Sequence, residues 1–228
     1  MKIFEYSGVG GRKVNQDYLT YALLDEKHAV FIVTDGMGGY SQGEVAAQVA
    51  ADAVKDYVEE NFSTLEPELL LREAISFANE SISIKRFALN IKQMGTVIVV
   101  AYLCEDTAWV AWVGDSRIYV LRDGKEIFRT EDHSLINELL QVNTLKGSDL
   151  ERYSAIVTRS LMGENENADP DIASVSVQEG DVIWLCSDGV HKEIPIYWMP
   201  DDELELKSFL DRQNDQFSDN YTLLRVTL

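Results

Sequence analysis

Cysteine is scarce in this chain of 228 residues, which carries only Cys104 and Cys186. The two form no C-x-x-C pair and each falls inside an apolar run. A disulfide-stapled scaffold and a thiolate zinc site are both excluded, and buried, reduced thiols are expected. Proline numbers 4 and glycine 14, too few for a collagenous or linker-dominated chain. No apolar stretch approaches the roughly 20 residues that cross a bilayer. The opening Met1-Lys2-Ile3-Phe4-Glu5-Tyr6 reads as a strand and lacks the basic-then-apolar layout of a secretory signal. A cytoplasmic protein without membrane contact is therefore expected. Basic residues are outnumbered, 20 Lys and Arg against 39 Asp and Glu, for a net charge of −19. Such a field repels phosphate backbones and excludes the wrapping of nucleic acid, although acidity alone identifies no partner.

What is present is a globular composition, 46% hydrophobic and 26% charged. The length suits one domain spanning 1–228. Short, very apolar strands dominate: 18–24, 29–34, 97–103, 107–113, 117–121, 172–177, 182–186 and 221–228. Asp123-Gly124 marks a tight hairpin leading into a further strand at 126–129. Two long helical segments interrupt this pattern. Ser41-Gln42-Gly43-Glu44 has capping-box spacing. After it, Val45, Val49, Ala53 and Tyr57 form one i,i+4 row, and Ala46, Ala50, Val54, Val58 and Phe62 the next. Pro67 suits the first turn of the second helix, whose buried face reads Leu70, Ala74, Phe77, Ala78 and Ile82. Shorter helices are predicted at 135–142 and 202–212. The sum is an α+β sandwich, two packed antiparallel sheets flanked by helices. A polar stretch at 143–157 is the natural place for a surface flap.

Four aspartates share one context. Asp35, Asp115 and Asp188 each follow an apolar strand and abut a glycine, and Asp219 immediately precedes the last strand. Glycine allows close approach of backbone to a ligand. Carboxylates gathered from separate strand ends into a partly buried cleft must take up protons or hold cations. With oxygen donors and no His or Cys set, the cations would be Mg²⁺ or Mn²⁺ rather than zinc. Asp-Gly is equally a common turn dipeptide, so the residues alone leave both readings open. Asp123-Gly124 reads as a turn only.

Eight segments, in order along nearly the whole chain, decide between them. They are Arg12-Lys13-Val14-Asn15-Gln16-Asp17, Asp35-Gly36-Met37-Gly38-Gly39 with Gly43-Glu44-Val45-Ala46, Gly95-Thr96, Gly114-Asp115-Ser116-Arg117-Ile118-Tyr119, Thr130-Glu131-Asp132-His133-Ser134, Thr158-Arg159-Ser160-Leu161-Met162-Gly163, Ser187-Asp188-Gly189 and Asp219-Asn220. Together they resemble the bacterial metal-dependent protein phosphatases of type 2C. The resemblance implies the same α-β-β-α sandwich and hydrolysis of phosphoserine and phosphothreonine in proteins, opposing a Ser/Thr kinase. It implies that Asp35 bridges two Mn²⁺ or Mg²⁺ ions with the Gly36 carbonyl on one of them, that Asp188 and Asp219 complete the other shell, and that Asp17 helps through water. Arg12 would hold the substrate phosphate, its planar fork suiting two phosphate oxygens. Two metals roughly 3.5–4 Å apart activate a water for in-line attack, so no protein nucleophile is needed.

Departures from the family pattern carry their own expectations. Met37 leaves no histidine there to protonate the leaving group. Four residues after Asp188, where many members have a second acid, stands Lys192, which would weaken a third metal site built from Asp115 and Asp188. Two ions are therefore expected, with the third left open. His28 is expected at the surface, His133 in a structural hydrogen bond, His191 near the site, and the four tryptophans 109, 112, 184 and 198 in sheet packing. A monomer is expected. Two other readings fit: a catalytically weak relative that binds phosphoproteins, and a phosphatase dedicated to one small phosphorylated regulator.

Overall fold

The structure, a computed structural model, describes residues 1–37, 42–141, 153, 156–164 and 166–228. Its strands are β1 (Lys2–Gly8), β2 (Asp17–Leu23), β3 (His28–Gly36), β4 (Thr96–Cys104), β5 (Thr107–Val113), β6 (Arg117–Arg122), β7 (Lys125–Arg129), β8 (Asp171–Ser176), β9 (Val182–Cys186) and β10 (Tyr221–Thr227). They form two five-stranded sheets, ordered β1-β10-β9-β6-β7 and β2-β3-β4-β5-β8. Every pairing is antiparallel. The near-continuous apolar runs are explained by burial on both faces. In β3, Val30 and Ile32 face the helices while Phe31 and Val33 face the other sheet.

Helices α1 (Gly43–Asn61) and α2 (Pro67–Ala88) cover the second sheet. The row Ala46, Ala50, Val54 and Val58 is fully buried, its small residues letting α1 lie close to the strands. Helix α3 (Leu135–Gln141) follows β7 in the chain, and on the outer face of the first sheet lie α4 (Asp188–His191), a 3-10 turn (Ile196–Trp198) and α5 (Glu203–Gln213). Leu206 and Leu210 of α5 pack with Trp184, Tyr221 and Leu223. Three apolar layers thus alternate with four layers of secondary structure. The Asp123-Gly124 turn has positive φ at both residues, +51° and +71°, which makes the β6–β7 hairpin tight.

Several expectations need correction. The capping-box reading rests on Ser41, which lies outside the described residues; Gln42 is the α1 N-cap in a left-handed conformation (φ 66°), and its own side chain makes no cap hydrogen bond. The Glu44 carboxylate instead accepts a hydrogen bond from Gln16 Nε2 at 3.0 Å. Phe77 is half exposed, because α2 turns that edge away from the sheet. Trp198 sits in the 3-10 turn rather than a strand and is 75% exposed. His28 is half-buried, its ring against Phe62 and Tyr102. Cys104 is only partly buried, and both thiols are free. The expected flap at 143–157 falls outside the described residues apart from 153, 156 and 157.

Candidate active site

Antiparallel pairing brings the acid-bearing ends of both sheets to one edge of the sandwich. Asp17 opens β2 directly across from Asp35 near the end of β3. Asp115 follows β5 and precedes β6. Asp188 follows β9, and Asp219 precedes β10, the strand β9 pairs with. Five acids from both halves of the sequence therefore share one rim. Close approach of backbone makes this possible. A Cβ on Gly189 would stand 2.0 Å from the Asn220 carbonyl oxygen, and one on Gly36 2.4 Å from that of Gly43.

The contacts within the cluster are specific. Asp35 and Asp188 share a hydrogen bond. Ser187 Oγ donates to Asp17 Oδ2 at 2.7 Å, while Asp17 Oδ1 is buried without a hydrogen-bond partner. Lys192 Nζ lies 2.6 Å from Asp188 Oδ2 and 3.0 Å from Asp115 Oδ2. On the opposite side Arg12 donates to Asp219 Oδ2 at 2.6 Å. The Gly36 N–H donates to the Gln16 carbonyl, and Thr96 Oγ1 donates to that of Asp35. The backbone around the central acid is thereby fixed.

Electrostatics follow from burial and crowding. Burial, with the neighbouring charges of Asp17 and Asp188, holds the Asp35 carboxyl well above the usual carboxylate range. Asp17 is raised chiefly by burial, against the lowering effect of its Ser187 bond. Asp115 is raised by burial and by Asp188. For Asp188 burial also acts upward, but the Lys192 ammonium and the Asp35 bond outweigh it and leave the group below its ordinary value. His191 is pushed down to about 4, mainly by burial. Its Nε2 lies 2.8 Å from the Asp115 carbonyl oxygen, so it braces the loop that carries Asp115. His133 takes the structural role expected of it, with Nδ1 accepting from the Gly114 N–H at 3.1 Å.

Crowded carboxylates raised by their neighbours, an orphaned buried carboxylate oxygen on Asp17, and donors that are all oxygen fit a hard divalent cation. Among the described residues no three acid, His or Cys side chains are yet drawn together around one cation position. Lys192 and Arg12 instead neutralise the outer acids Asp115, Asp188 and Asp219.

Sequence reasoning missed the residue that joins the two sides. Asn220 Oδ1 accepts the Gln16 N–H at 2.9 Å, and its Nδ2 donates to the Val9 and Val14 carbonyls at 2.9 and 3.0 Å. The loop bearing Arg12 is thereby pinned beside Asp219. A two-ended amide next to a strand-end acid was the available signal. Ser187, whose Oγ also accepts the Thr222 N–H, was quoted only as part of a motif.

Residues 10–222 match the family described as Protein phosphatase 2C. The chain is 32% identical over 216 residues to the serine/threonine phosphatase stp of Listeria welshimeri, across 88% of this chain and 85% of that protein. It is 30% identical over 195 residues to protein phosphatase PhpP of Streptococcus pneumoniae, across 83% of this chain and 79% of that one. The serine/threonine phosphatase of S. agalactiae superposes with a TM-score of 0.83 at 25% identity, over 100% of this chain and 99% of that one. The chain belongs to the protein phosphatase 2C family, the metal-dependent protein serine/threonine phosphatases.

Proposed function

We propose that Asp17, Asp35, Asp188 and Asp219, with the Gly36 carbonyl, hold a pair of Mn²⁺ or Mg²⁺ ions, and that Arg12 receives the phosphate of a phosphoserine or phosphothreonine side chain. The single observation that carries this reading is the buried, partnerless Asp17 Oδ1 facing a crowded set of acids. Bound there, the metal pair would activate the attacking water and neutralise phosphate charge.

The chain's own residues supply the rest. Arg12 is half exposed, and its fork suits two phosphate oxygens, orienting the ester for in-line attack. Asp219 holds the guanidinium ready, and Asn220 fixes the loop beneath it. Charge that grows on the transferring oxygens meets a preset guanidinium rather than one that must be recruited. Met37 offers no proton to the departing side-chain oxygen, so that proton comes from water. Lys192 supplies a fixed positive charge to Asp115 and Asp188, the pair on which a third ion would depend. Two ions are accordingly proposed, with the third left open.

The full set of acids favours an active enzyme over a phosphoprotein-binding relative, since loss of one would have disarmed the cluster. A monomeric cytoplasmic enzyme opposing a Ser/Thr kinase is the working picture. Among the described residues no helix is long and apolar enough to cross a membrane. With manganese, the protein is expected to hydrolyse p-nitrophenyl phosphate and a phosphothreonine peptide. EDTA and Asp35→Ala should each abolish both reactions. Turnover that persists after dialysis against EDTA would exclude this arrangement.

A further inference from the structure

The strands that carry the acid cluster at one end carry a groove at the other. Lys2, Val182 and Thr227 stand at the far ends of β1, β9 and β10, and with Trp184 and Arg225 from within β9 and β10 they line a cavity of about 1010 Å³ on the outer face of the first sheet. The floor is apolar and firm. Leu121, Trp184, Ile196 and Met199 are buried, and Arg225, 6% exposed, lies over Phe4 and Trp184 while donating to the Pro200 and Asp201 carbonyls. The lip is also apolar but faces water, with Tyr197 51% and Leu204 78% exposed beside Trp198 at 75%. Large side chains so exposed around a formed groove mark a surface that another molecule covers.

Charge selects the occupant. Asp123, Asp201, Asp202 and Glu203 line the same groove and are all exposed, against Lys2 and the internally paired Arg225. The chain's net charge of −19 adds a field that draws cations to it. We infer that this groove docks a lysine- and arginine-rich peptide segment bearing a bulky apolar anchor, carried by a protein partner. The anchor sits on Trp184 and Met199 between Tyr197 and Leu204, and flanking cations meet the rim carboxylates. The groove and the acid cluster lie a strand length apart, roughly 15–20 Å, so both can be engaged together.

The test uses the full chain and a fluorescein-labelled peptide, Lys-Arg-Leu repeated four times, titrated at 0.15 M salt and read by anisotropy. Binding is expected, with a tenfold or greater rise in Kd for Asp123→Asn/Asp201→Asn/Glu203→Gln and likewise for Tyr197→Ser/Leu204→Ser. A charge-matched control, Glu59→Gln/Glu60→Gln/Glu66→Gln at the exposed end of α1 and the turn beyond, should leave Kd within twofold. The same peptide with serine for leucine should bind at least tenfold more weakly. Circular dichroism on each variant separates lost docking from lost folding, and no phosphatase assay enters the readout. The inference is overturned if the groove variants bind as wild type does, or if the control weakens binding equally. It is also overturned if sedimentation finds a dimer that Leu204→Ser dissolves while the peptide does not bind, which would give the groove to a second copy.

Discussion

Replacing Lys192 with methionine keeps much of the aliphatic stem and removes the ammonium that bridges Asp115 and Asp188. At an effective dielectric near 20, each contact of about 3 Å has a bare Coulomb energy of about 5 kcal/mol. The lysine side chain is 42% exposed, so solvent screens most of this. Exposed pairs contribute about 0–1 kcal/mol, and breaking a buried pair costs about 3–5 kcal/mol. Asp115 is 9% and Asp188 21% exposed, so the loss should fall between these limits, at about 2 kcal/mol. For a chain of this length that is a fall in Tm of about 4–8 °C. The fall should be largest in EDTA, where two unpaired carboxylates repel each other. It should shrink in millimolar manganese, because a divalent ion can take the vacated position. Calorimetry of both proteins in both buffers gives the comparison. Mass-spectrometric counting of bound metal in Lys192→Asp should show one ion more than wild type. Equal Tm differences with and without manganese, or an unchanged ion count, would refute the idea that the ammonium stands in for a cation.

Two further predictions concern residues that brace the site. Asn220→Ala removes three hydrogen bonds to the Arg12 loop and should cost about 3 kcal/mol, with KM for a phosphopeptide rising more than kcat falls. Steady-state kinetics showing an unchanged KM would mean the loop holds its shape without that amide. His191 is depressed to about 4 in the fold against an ordinary 6.5, so the folded state resists protonation more than the unfolded chain does. Its contribution to stability is present in full above pH 6.5 and is lost as pH falls toward 4. His191→Gln keeps a donor for the Asp115 carbonyl and should lose less stability than wild type across that window in urea titrations. Parallel pH profiles for the two proteins would count against a buried neutral imidazole.

The fold was legible because most strands are buried on both faces and therefore announce themselves as unbroken apolar runs; 107–113 and 182–186 match their strands to the residue. Asp-Gly at 123–124 and Pro67 at a helix start act through local backbone preference, which tertiary context had no reason to override. At α1 a left-handed Gln42 is the N-cap, and Glu44 accepts a hydrogen bond from Gln16, a partner 28 residues away and outside any local signal. Trp198 misled because exposure depends on what lies across from a residue, which no local pattern records. In the site, the acids at strand ends could be read from their glycines. The bridging reach of Lys192 and the threefold role of Asn220 depend on which loops meet, and that is settled by the registers of β6 against β9 and of β1 against β10.

Ser187 and Asp17 touch across 170 residues of chain. Such a contact closes a long loop, and the entropy of that closure must be met before the bond rewards it. A half-folded chain accordingly holds neither assembled acids nor a positioned guanidinium. Recovery of turnover after denaturation therefore requires both sheets to be assembled, since each contributes acids to the cluster.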